Sequence, residues 1–325
     1  MLPAIGLCLA GLLVLIVGAE LLTRGGAVLA RQLGVPPILI GLTVVAVGTS
    51  TPELAVGIDA GLIGNGAMAV GNIAGTNTVN VLLILGLSAA IHALPLRART
   101  VRMELPVMIA AAAVVLVLAL DGTLSRLDGM LLVACGVAYT AMLARSALHE
   151  SRAVRVEFAR EYRGPKGAAH GPRTTLRSAL ALLAGIVVIV LAADWFVDGA
   201  VALARIWGVS DAFIGLTVVA IGTSAPELVT TILSTLKRER DIAIGNLLGS
   251  SIYNIFVILG LTCIVPAAGL PVTPDLLRID LPVMMLVALA CVPAFLTRQE
   301  VSRREGALFV AAYGTYLAYL IAMRT

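Results

Sequence analysis

Two glutamates, each directly after a proline inside a long apolar run, are the best candidates for chemistry in this sequence. Glu53 lies in the segment GTSTPEL, and Glu227 lies in the segment GTSAPEL, 174 residues later. A carboxylate buried among apolar side chains is costly unless it is paired or binds a metal ion. Carboxylate oxygens suit hard cations such as Ca²⁺ and Na⁺, whereas zinc and copper favour nitrogen and sulfur ligands. We therefore predict a hard-cation site that contains both glutamates.

The glutamates belong to a longer repeat, in which residues 41–87 align with residues 215–261 at one constant offset. The offset also pairs Pro52 with Pro226, and it pairs Asn80 with Asn254. The similarity continues beyond this segment, because RMELPVM at 102–108 recurs as RIDLPVM at 278–284. Self-similarity of this kind indicates an internal duplication. The chain is therefore interpreted as two copies of one unit.

The prolines predict a broken helix in each copy. Proline lacks an amide proton, and its ring crowds the carbonyl four residues earlier, which is that of Gly48 before Pro52. The residue before each proline, Thr51 or Ala225, should also leave helical geometry. Carbonyls at positions 46–49 and 220–223 are then released from the helix. In a membrane, such groups are tolerated only inside protein or facing a wet cavity.

The composition is that of a polytopic membrane protein. Of the 325 residues 59% are hydrophobic and 13% are charged, and the mean hydropathy is +1.01. A soluble domain cannot bury that much apolar surface. The four cysteines lie in apolar runs without metal-ligand spacing, and the chain lacks a dinucleotide fingerprint, a phosphate loop and a nucleophile elbow. We expect the lipid bilayer and transported ions as partners, and no enzyme activity, no cofactor and no nucleic acid. We also expect a functional monomer.

Ten apolar runs are long enough to cross a bilayer. They lie at about 4–30, 37–62, 67–91, 102–120, 127–148, 176–206, 212–236, 242–265, 277–297 and 305–323. A charged segment with two Gly-Pro breaks, residues 149–175, separates the fifth run from the sixth. The predicted fold is all-α, with a first five-helix repeat at 1–148, a cytoplasmic linker at 149–175 and a second repeat at 176–325.

Five spans per repeat predict that the second copy is inverted in the membrane relative to the first. If the linker is cytoplasmic, alternation places most basic residues inside, as the positive-inside rule requires. The inside set contains Arg31, Arg97, Arg99, Arg102, the linker and its flanks, Lys237, Arg238, Arg240, Arg298, Arg303 and Arg304. We therefore predict a protein of the cytoplasmic membrane with both termini outside.

Inversion should bring the two helix breaks together near the middle of the membrane. The expected oxygen ligands there are the carboxylates of Glu53 and Glu227, carbonyls released at the breaks, the hydroxyls of Thr49, Ser50, Thr223 and Ser224, and the amide oxygens of Asn80 and Asn254. Two carboxylates neutralise either one Ca²⁺ or two Na⁺, which is a physical basis for exchange. A proline kink beside a protonated structural glutamate is the alternative interpretation, and the matched second copy argues against it.

The paired segments, GTSTPEL with GNIAGTNTVN and GTSAPEL with GNLLGSSIYN, resemble the two α-repeats of the calcium/cation antiporter superfamily, which contains the sodium/calcium exchangers. The resemblance implies a five-plus-five inverted-repeat fold in which Glu53 and Glu227 are the central Ca²⁺ ligands. It further implies Ca²⁺ ligation by the carbonyls of Thr49 and Thr223. The implied Na⁺ positions are Ala46, Ser50, Thr76, Ala220, Ser224 and Ser250, with Asn80 and Asn254 lining the centre.

The sequence departs from the family at one informative position and in its linker. Several family members, particularly potassium-dependent ones, carry aspartate where Asn254 stands, so potassium co-transport is not expected here. The linker is also too short for the large calcium-sensing domains of animal exchangers.

Three functions remain open on the sequence. The leading one is Na⁺-driven Ca²⁺ antiport by alternating access, in which the first and sixth spans slide across a fixed site. Proton-coupled Ca²⁺ antiport would use the same glutamates, but it would not need the hydroxyls that precede each proline. A cation channel would also need oxygen ligands, although two inverted copies in one chain fit alternating access better than an open pore.

Overall fold

The structure, a computed structural model, describes residues 1–33, 35–96, 100–149, 172–207 and 220–324. These residues form a bundle of long helices. In the first half they are α1 (Leu2–Leu33), α2 (Pro37–Thr49), α3 (Thr51–Leu62), α4 (Gly66–Ile91), α5 (Thr100–Asp121) and α6 (Arg126–His149). In the second half they are α7 (Pro172–Ile206), α8 (Ala220–Thr223), α9 (Ala225–Leu236), α10 (Arg240–Ile264), α11 (Leu276–Asp280 continuing as Leu281–Arg298) and α12 (Arg303–Arg324).

The helices agree with the predicted spans. Within the described ranges, eight helices are long and apolar enough to cross a membrane, and the pair α2 and α3, bent by 41°, can form a ninth. The second broken pair, α8 and α9, is described only from Ala220 onward, because the start of the predicted seventh span lies outside the described residues. The observed helices therefore fit the ten-span prediction.

Equivalent helices of the two halves make equivalent contacts. The last turns of α4 pack against α12, and the last turns of α10 pack against α6. Glycines permit both approaches, since a Cβ at Gly86 would lie 3.0 Å from the carbonyl oxygen of Gly306 and a Cβ at Gly260 would lie 3.0 Å from that of Gly129. Each half is thus closed by a helix of the other half, which is the packing expected of an inverted repeat.

Two short antiparallel bridges link the loops of the halves. In one, β1 (Leu94–Pro95) pairs with β4 (Glu300–Val301), and in the other, β2 (Thr123–Leu124) pairs with β3 (Leu270–Pro271). If the spans alternate in direction, the loops that contain β1 and β4 lie on one side of the membrane, and the loops that contain β2 and β3 lie on the opposite side. The pairing therefore agrees with the predicted alternation of the helices.

Helices α1 and α7 form a separate antiparallel layer. They pack against each other along most of their length, and their buried apolar side chains form a cluster distinct from the main core. The two backbones meet closely, because a Cβ at Gly11 would lie 2.5 Å from the amide nitrogen of Phe196. Many outward side chains of this layer are exposed leucines and valines, as expected of a lipid-facing surface.

Candidate cation-binding site

The predicted helix breaks are present, but each lies one residue earlier than predicted, at the second residue before the proline. Ser50 separates α2 from α3 with φ −85° and ψ 11°, and Ser224 separates α8 from α9 with φ −85° and ψ 7°. Thr51 and Ala225 are helical, so the prediction that they leave helical geometry was wrong. Proline is tolerated in the first turn of a helix, where its missing N–H has no intrahelical partner. Each helix can therefore restart at the residue before the proline.

The breaks position the two glutamates. Glu53 lies in the first turn of α3 and Glu227 lies in the first turn of α9, and both side chains are fully buried. The hydroxyl of Ser50, three residues before Glu53, lies 3.1 Å from Oε1 of Glu227. The two halves thus bring Glu227 next to the break that precedes Glu53.

The carboxyl oxygens have few protein partners. Neither carboxyl oxygen of Glu53 nor Oε2 of Glu227 forms a hydrogen bond of good geometry with another of the described residues, although the hydroxyls of Thr49 and Ser250 approach the Glu227 carboxyl. Oε1 of Glu227 accepts a hydrogen bond of 3.1 Å from the Ser50 hydroxyl. Buried carboxylates without donors are costly in a protein interior unless a cation or a proton neutralises them. These oxygens therefore have the chemistry of ligands for a hard cation.

Asn80 and Asn254 add further buried oxygens. Neither side chain is exposed, and within the described chain the amide oxygens of both lack hydrogen-bond donors. Both residues lie in π-helical segments, Val79–Leu85 of α4 and Asn254–Leu259 of α10. These segments pack against α9 and α3, the helices that carry the glutamates. Short π-helical segments are rare and often occur at functional sites.

A cluster of hydroxyls joins α2 to α10 beside the break. The hydroxyl of Thr49 lies 3.1 Å from the amide oxygen of Asn246 and 3.5 Å from the hydroxyl of Ser250. Ser250 in turn donates to the carbonyl oxygen of Ala46 at 3.4 Å. Three residues predicted from the sequence, Ala46, Thr49 and Ser250, are thus in contact across the two halves.

The Ala46 carbonyl is not released from its helix, contrary to the prediction for positions 46–49. It accepts a hydrogen bond of 3.1 Å from the amide of Ser50. The missing amide of Pro52 removes a donor only for Gly48, so helical bonding continues up to the break. The oxygen of Ala46 can therefore join a site only as a shared acceptor.

The remaining predicted residues belong to α4 and to the second helix break. Thr76 is buried in α4, which packs against α8, and Ser224 is fully buried at the second break. Thr223 is partly buried at the end of α8. Ala220 begins the described part of α8, and its side chain lies outside the described set. The structure thus places Thr223 and Ser224 at the second break and Thr76 in the helix that packs against α8.

Asn246 and Thr231 were not predicted as site residues. The amide nitrogen of Asn246 donates to the Thr231 hydroxyl at 3.2 Å, while its amide oxygen faces Thr49. Asn246 thereby connects α2, α9 and α10. A signal was present in the sequence, because Gly71-Asn72 and Gly245-Asn246 repeat at the same offset as the glutamates.

Glycines allow α10 to approach α2 closely enough for these contacts. A Cβ at Gly245 would lie 2.6 Å from the carbonyl oxygen of Ile38, and a Cβ at Gly249 would lie 2.8 Å from the carbonyl oxygen of Leu42. Real Cβ atoms do not occupy such distances, so a side chain at either position would push the helices apart. The glycines therefore set the distance between Thr49 and Ser250.

At one end of the bundle, polar contacts tie α1 to the helices that carry the site. The hydroxyls of Thr23 and Ser234 lie 3.0 Å apart, and Lys237 forms an ion pair with Glu20, which also pairs with Arg24. These contacts connect the α1–α7 layer to the loop between α9 and α10.

Comparison with known proteins identifies the family. A family model described as sodium/calcium exchanger protein matches residues 3–144 and 177–322. The chain belongs to the sodium/calcium exchanger family. Within it, the chain is 35% identical to the inner membrane protein YrbG of Escherichia coli K12, over 98% of this chain and 97% of that protein. It is 30% identical to the sodium/calcium exchanger MaX1 of Methanosarcina acetivorans, over 96% of this chain and 97% of that protein.

The fold is also that of a solved exchanger. A structure of the sodium-calcium exchanger NCX_Mj, soaked with zero Na⁺ and Ca²⁺, superposes with a TM-score of 0.82 at 27% identity, covering 98% of each chain. The resemblance to the calcium/cation antiporters is thus confirmed, and with it the all-α exchanger fold. This protein is a multi-pass membrane antiporter of a family of transporters.

Proposed function

We propose that this exchanger-family protein moves Ca²⁺ across the cytoplasmic membrane in exchange for Na⁺ by alternating access. The observation that carries the proposal is the state of Glu53. Its carboxyl group is fully buried, forms no hydrogen bond of good geometry with another described residue, and follows a helix break whose Ser50 hydroxyl contacts a second buried carboxyl, that of Glu227. Two such groups remain ionised together only when positive charge lies between them.

Calcium is the ion that this arrangement fits best. Glu53 and Glu227 supply two negative charges, and the carbonyls of Thr49 and Thr223 complete the proposed ligand set. The amide oxygens of Asn80 and Asn254 line the centre. An all-oxygen site with two carboxylates is typical of Ca²⁺, which accepts six to eight oxygen ligands in flexible geometry.

Sodium is proposed to bind beside the carboxylates at Ala46, Ser50, Thr76, Ala220, Ser224 and Ser250. The contact of Ser50 with Glu227 supports this, because it places a neutral oxygen ligand next to a carboxyl group. The contact of Ser250 with Ala46 adds two neutral oxygens beside the same break. Two Na⁺ ions carry the same charge as one Ca²⁺. Either load then leaves the central carboxylates neutralised while the site changes its accessible side.

The separate α1–α7 layer supports alternating access. The apolar cluster of the layer is distinct from the main core and includes Ile40, Val45, Ala225 and Ile242 of the neighbouring helices. A shift along the membrane normal would exchange the contacts with those four residues and leave the main core packed. We propose that the layer slides over the other spans of the two five-helix halves, 1–148 and 176–325, which a cytoplasmic linker at 149–175 joins. Both termini then lie outside, and one chain contains the complete site.

Calcium uptake into proteoliposomes tests the coupling ion. Purified protein is exposed to radioactive Ca²⁺ under an outward Na⁺ gradient, a pH gradient, or no gradient. Uptake that requires the Na⁺ gradient supports the proposal. Uptake driven by the pH gradient alone would show proton-coupled antiport with the same glutamates, and uptake that needs no gradient of another ion would show a channel.

A further inference from the structure

Asn77 lies directly behind the central site and was not part of the predicted ligand set. It is a buried residue of α4, and its side chain connects this helix with α10 and α11. Its amide nitrogen donates to the carbonyl oxygen of Ser251 at 3.2 Å and faces the sulfur of Met284 at 3.7 Å. Its amide oxygen accepts from the side-chain nitrogen of Asn254 at 3.3 Å.

These contacts determine which way the Asn254 amide points. A backbone carbonyl can only accept, so the Asn77 side chain must turn its NH₂ group toward Ser251. The oxygen of Asn77 then faces Asn254 and must receive a donor. Asn254 therefore presents its NH₂ group to Asn77 and directs its own oxygen the other way. That oxygen is buried and has no donor among the described residues.

The contacts that orient Asn254 have no equivalent around Asn80 among the described residues. The repeat offset pairs Asn77 with Ser251, and it pairs Asn254 with Asn80. Within the described chain the Ser251 hydroxyl makes no hydrogen bond, and neither side-chain atom of Asn80 has a partner. The orientation of Asn254 is thus fixed by protein contacts, whereas that of Asn80 is not.

We propose that Asn77 is a positioning residue that holds Asn254 with its oxygen, and not its NH₂ group, toward the transported cation. The inference rests on the proposed function, in which Asn254 lines the ion site. An amide turned by half a rotation would present two N–H donors to the cation. The interaction would change from attraction to repulsion, although shape and packing would stay the same.

A double-mutant cycle separates this role from a packing role. Asn77→Leu removes the hydrogen bonds to Ser251 and Asn254, and we expect it to raise the KM for Ca²⁺ about tenfold, the equivalent of roughly one hydrogen bond to a charged group. We expect kcat to change much less. Asn254→Asp has an oxygen at both ends of its side chain, so its orientation no longer matters. In that background Asn77→Leu should change KM by less than about twofold, a clear coupling between the two sites.

If Asn77→Leu changed the KM for Ca²⁺ by the same factor in the wild-type protein and in Asn254→Asp, the proposal would be overturned. A KM that Asn77→Leu left unchanged in the wild-type protein would overturn it as well. Ser251→Ala is the matched control, because it removes the hydroxyl but keeps the carbonyl that Asn77 uses, and it should leave KM unchanged. Calcium-dependent thermal stabilisation of the detergent-solubilised protein gives the same comparison for variants that bind without turnover. Asn77→Ala replaces Asn77→Leu if the larger side chain prevents folding.

The proposed function is tested separately by Glu53→Gln. If that variant exchanges Ca²⁺ normally, the central site itself is misassigned. If Glu53→Gln is inactive while the Asn77 variants show no coupling to position 254, only the role of Asn77 is wrong.

Discussion

The Ser50 hydroxyl, at the break of one half, donates a hydrogen bond of 3.1 Å to the Glu227 carboxyl, which follows the break of the other half. Both side chains are fully buried. Both halves therefore contribute to the site, because a hydroxyl of the first half binds the carboxyl group of the second. Five-helix halves that moved apart would lose this hydrogen bond.

Replacement of either glutamate by glutamine should nearly abolish exchange. Glutamine keeps the volume but removes one of the two charges that balance Ca²⁺. Loss of one partner of a buried charge pair costs roughly 3–5 kcal/mol, so we expect Ca²⁺ transport to fall about a hundredfold or more in Glu53→Gln and Glu227→Gln. Calcium uptake at saturating Na⁺ gradient measures this. Asp59→Asn, an exposed acid on the same helix as Glu53, should transport normally. Normal uptake by both glutamine variants would refute the site.

Ser50→Ala should weaken the response to Na⁺ more than the affinity for Ca²⁺. The variant loses one proposed Na⁺ ligand and the hydrogen bond to Glu227. A hydrogen bond is worth about 1 kcal/mol, so the Na⁺ concentration for half-maximal exchange should rise about fivefold. Titration of Ca²⁺ efflux with Na⁺ measures this shift. Thr51→Ala is the control, since the exposed Thr51 hydroxyl bonds to the carbonyl of Val47 in its own segment. A change confined to the Ca²⁺ requirement would contradict the sodium assignment.

Asn246→Leu should lower both stability and Ca²⁺ affinity. The variant leaves the buried hydroxyls of Thr49 and Thr231 without the amide group that joins them. An unsatisfied buried polar group costs about 1–3 kcal/mol. A lower Tm and a higher KM for Ca²⁺ are therefore expected. Thr231→Val removes only one of the two bonds and should have a smaller effect on both. Equal losses in the two variants would show that Asn246 does not hold Thr49.

The contacts at Lys237 should favour the conformation seen here. Lys237→Gln removes its ion pair with Glu20, and Thr23→Val removes the bond to Ser234. A partly exposed ion pair contributes about 0.2–1 kcal/mol. The fraction of protein in the present conformation should therefore fall modestly in Lys237→Gln and more in the variant that combines both substitutions. Faster hydrogen exchange in the C-terminal half of α1 measures the shift. Asp194→Asn, at the position that the repeat pairs with Glu20, is the control and should leave this exchange unchanged.

Stability should depend on pH through Glu239, which lies between α9 and α10. Burial raises the pKa of this carboxyl, and the neighbouring Arg31 only partly opposes the effect. A group with a raised pKa in the folded protein favours folding at low pH and loses that contribution as the pH rises. Glu239→Gln should therefore raise the Tm at neutral pH, and the gain should disappear as the pH falls below the pKa of an unfolded glutamate. A gain that is independent of pH would contradict this.

The sequence by itself determined the membrane class, the order of the spans and the two positions of the acids. These features are local. Apolar length defines a span, and a proline next to a glutamate marks a break wherever the helix lies. The repeat offset then indicated Thr49, Ser50 and Asn254 as partners of the glutamates, and the family resemblance added Ser250. The structure places each of them buried close to a break or in the helices around it.

Only the tertiary structure decided how those residues interact. The break falls on Ser50 and not on Thr51, because proline fits the first turn of the restarted helix. The carbonyl of Ala46 keeps its helical bond. The supporting roles of Asn246 and Asn77 depend on contacts across 197 and 177 positions of sequence. Hydrogen-bond direction is set by which acceptor packs against which donor, and no periodicity in one helix encodes the partner on another.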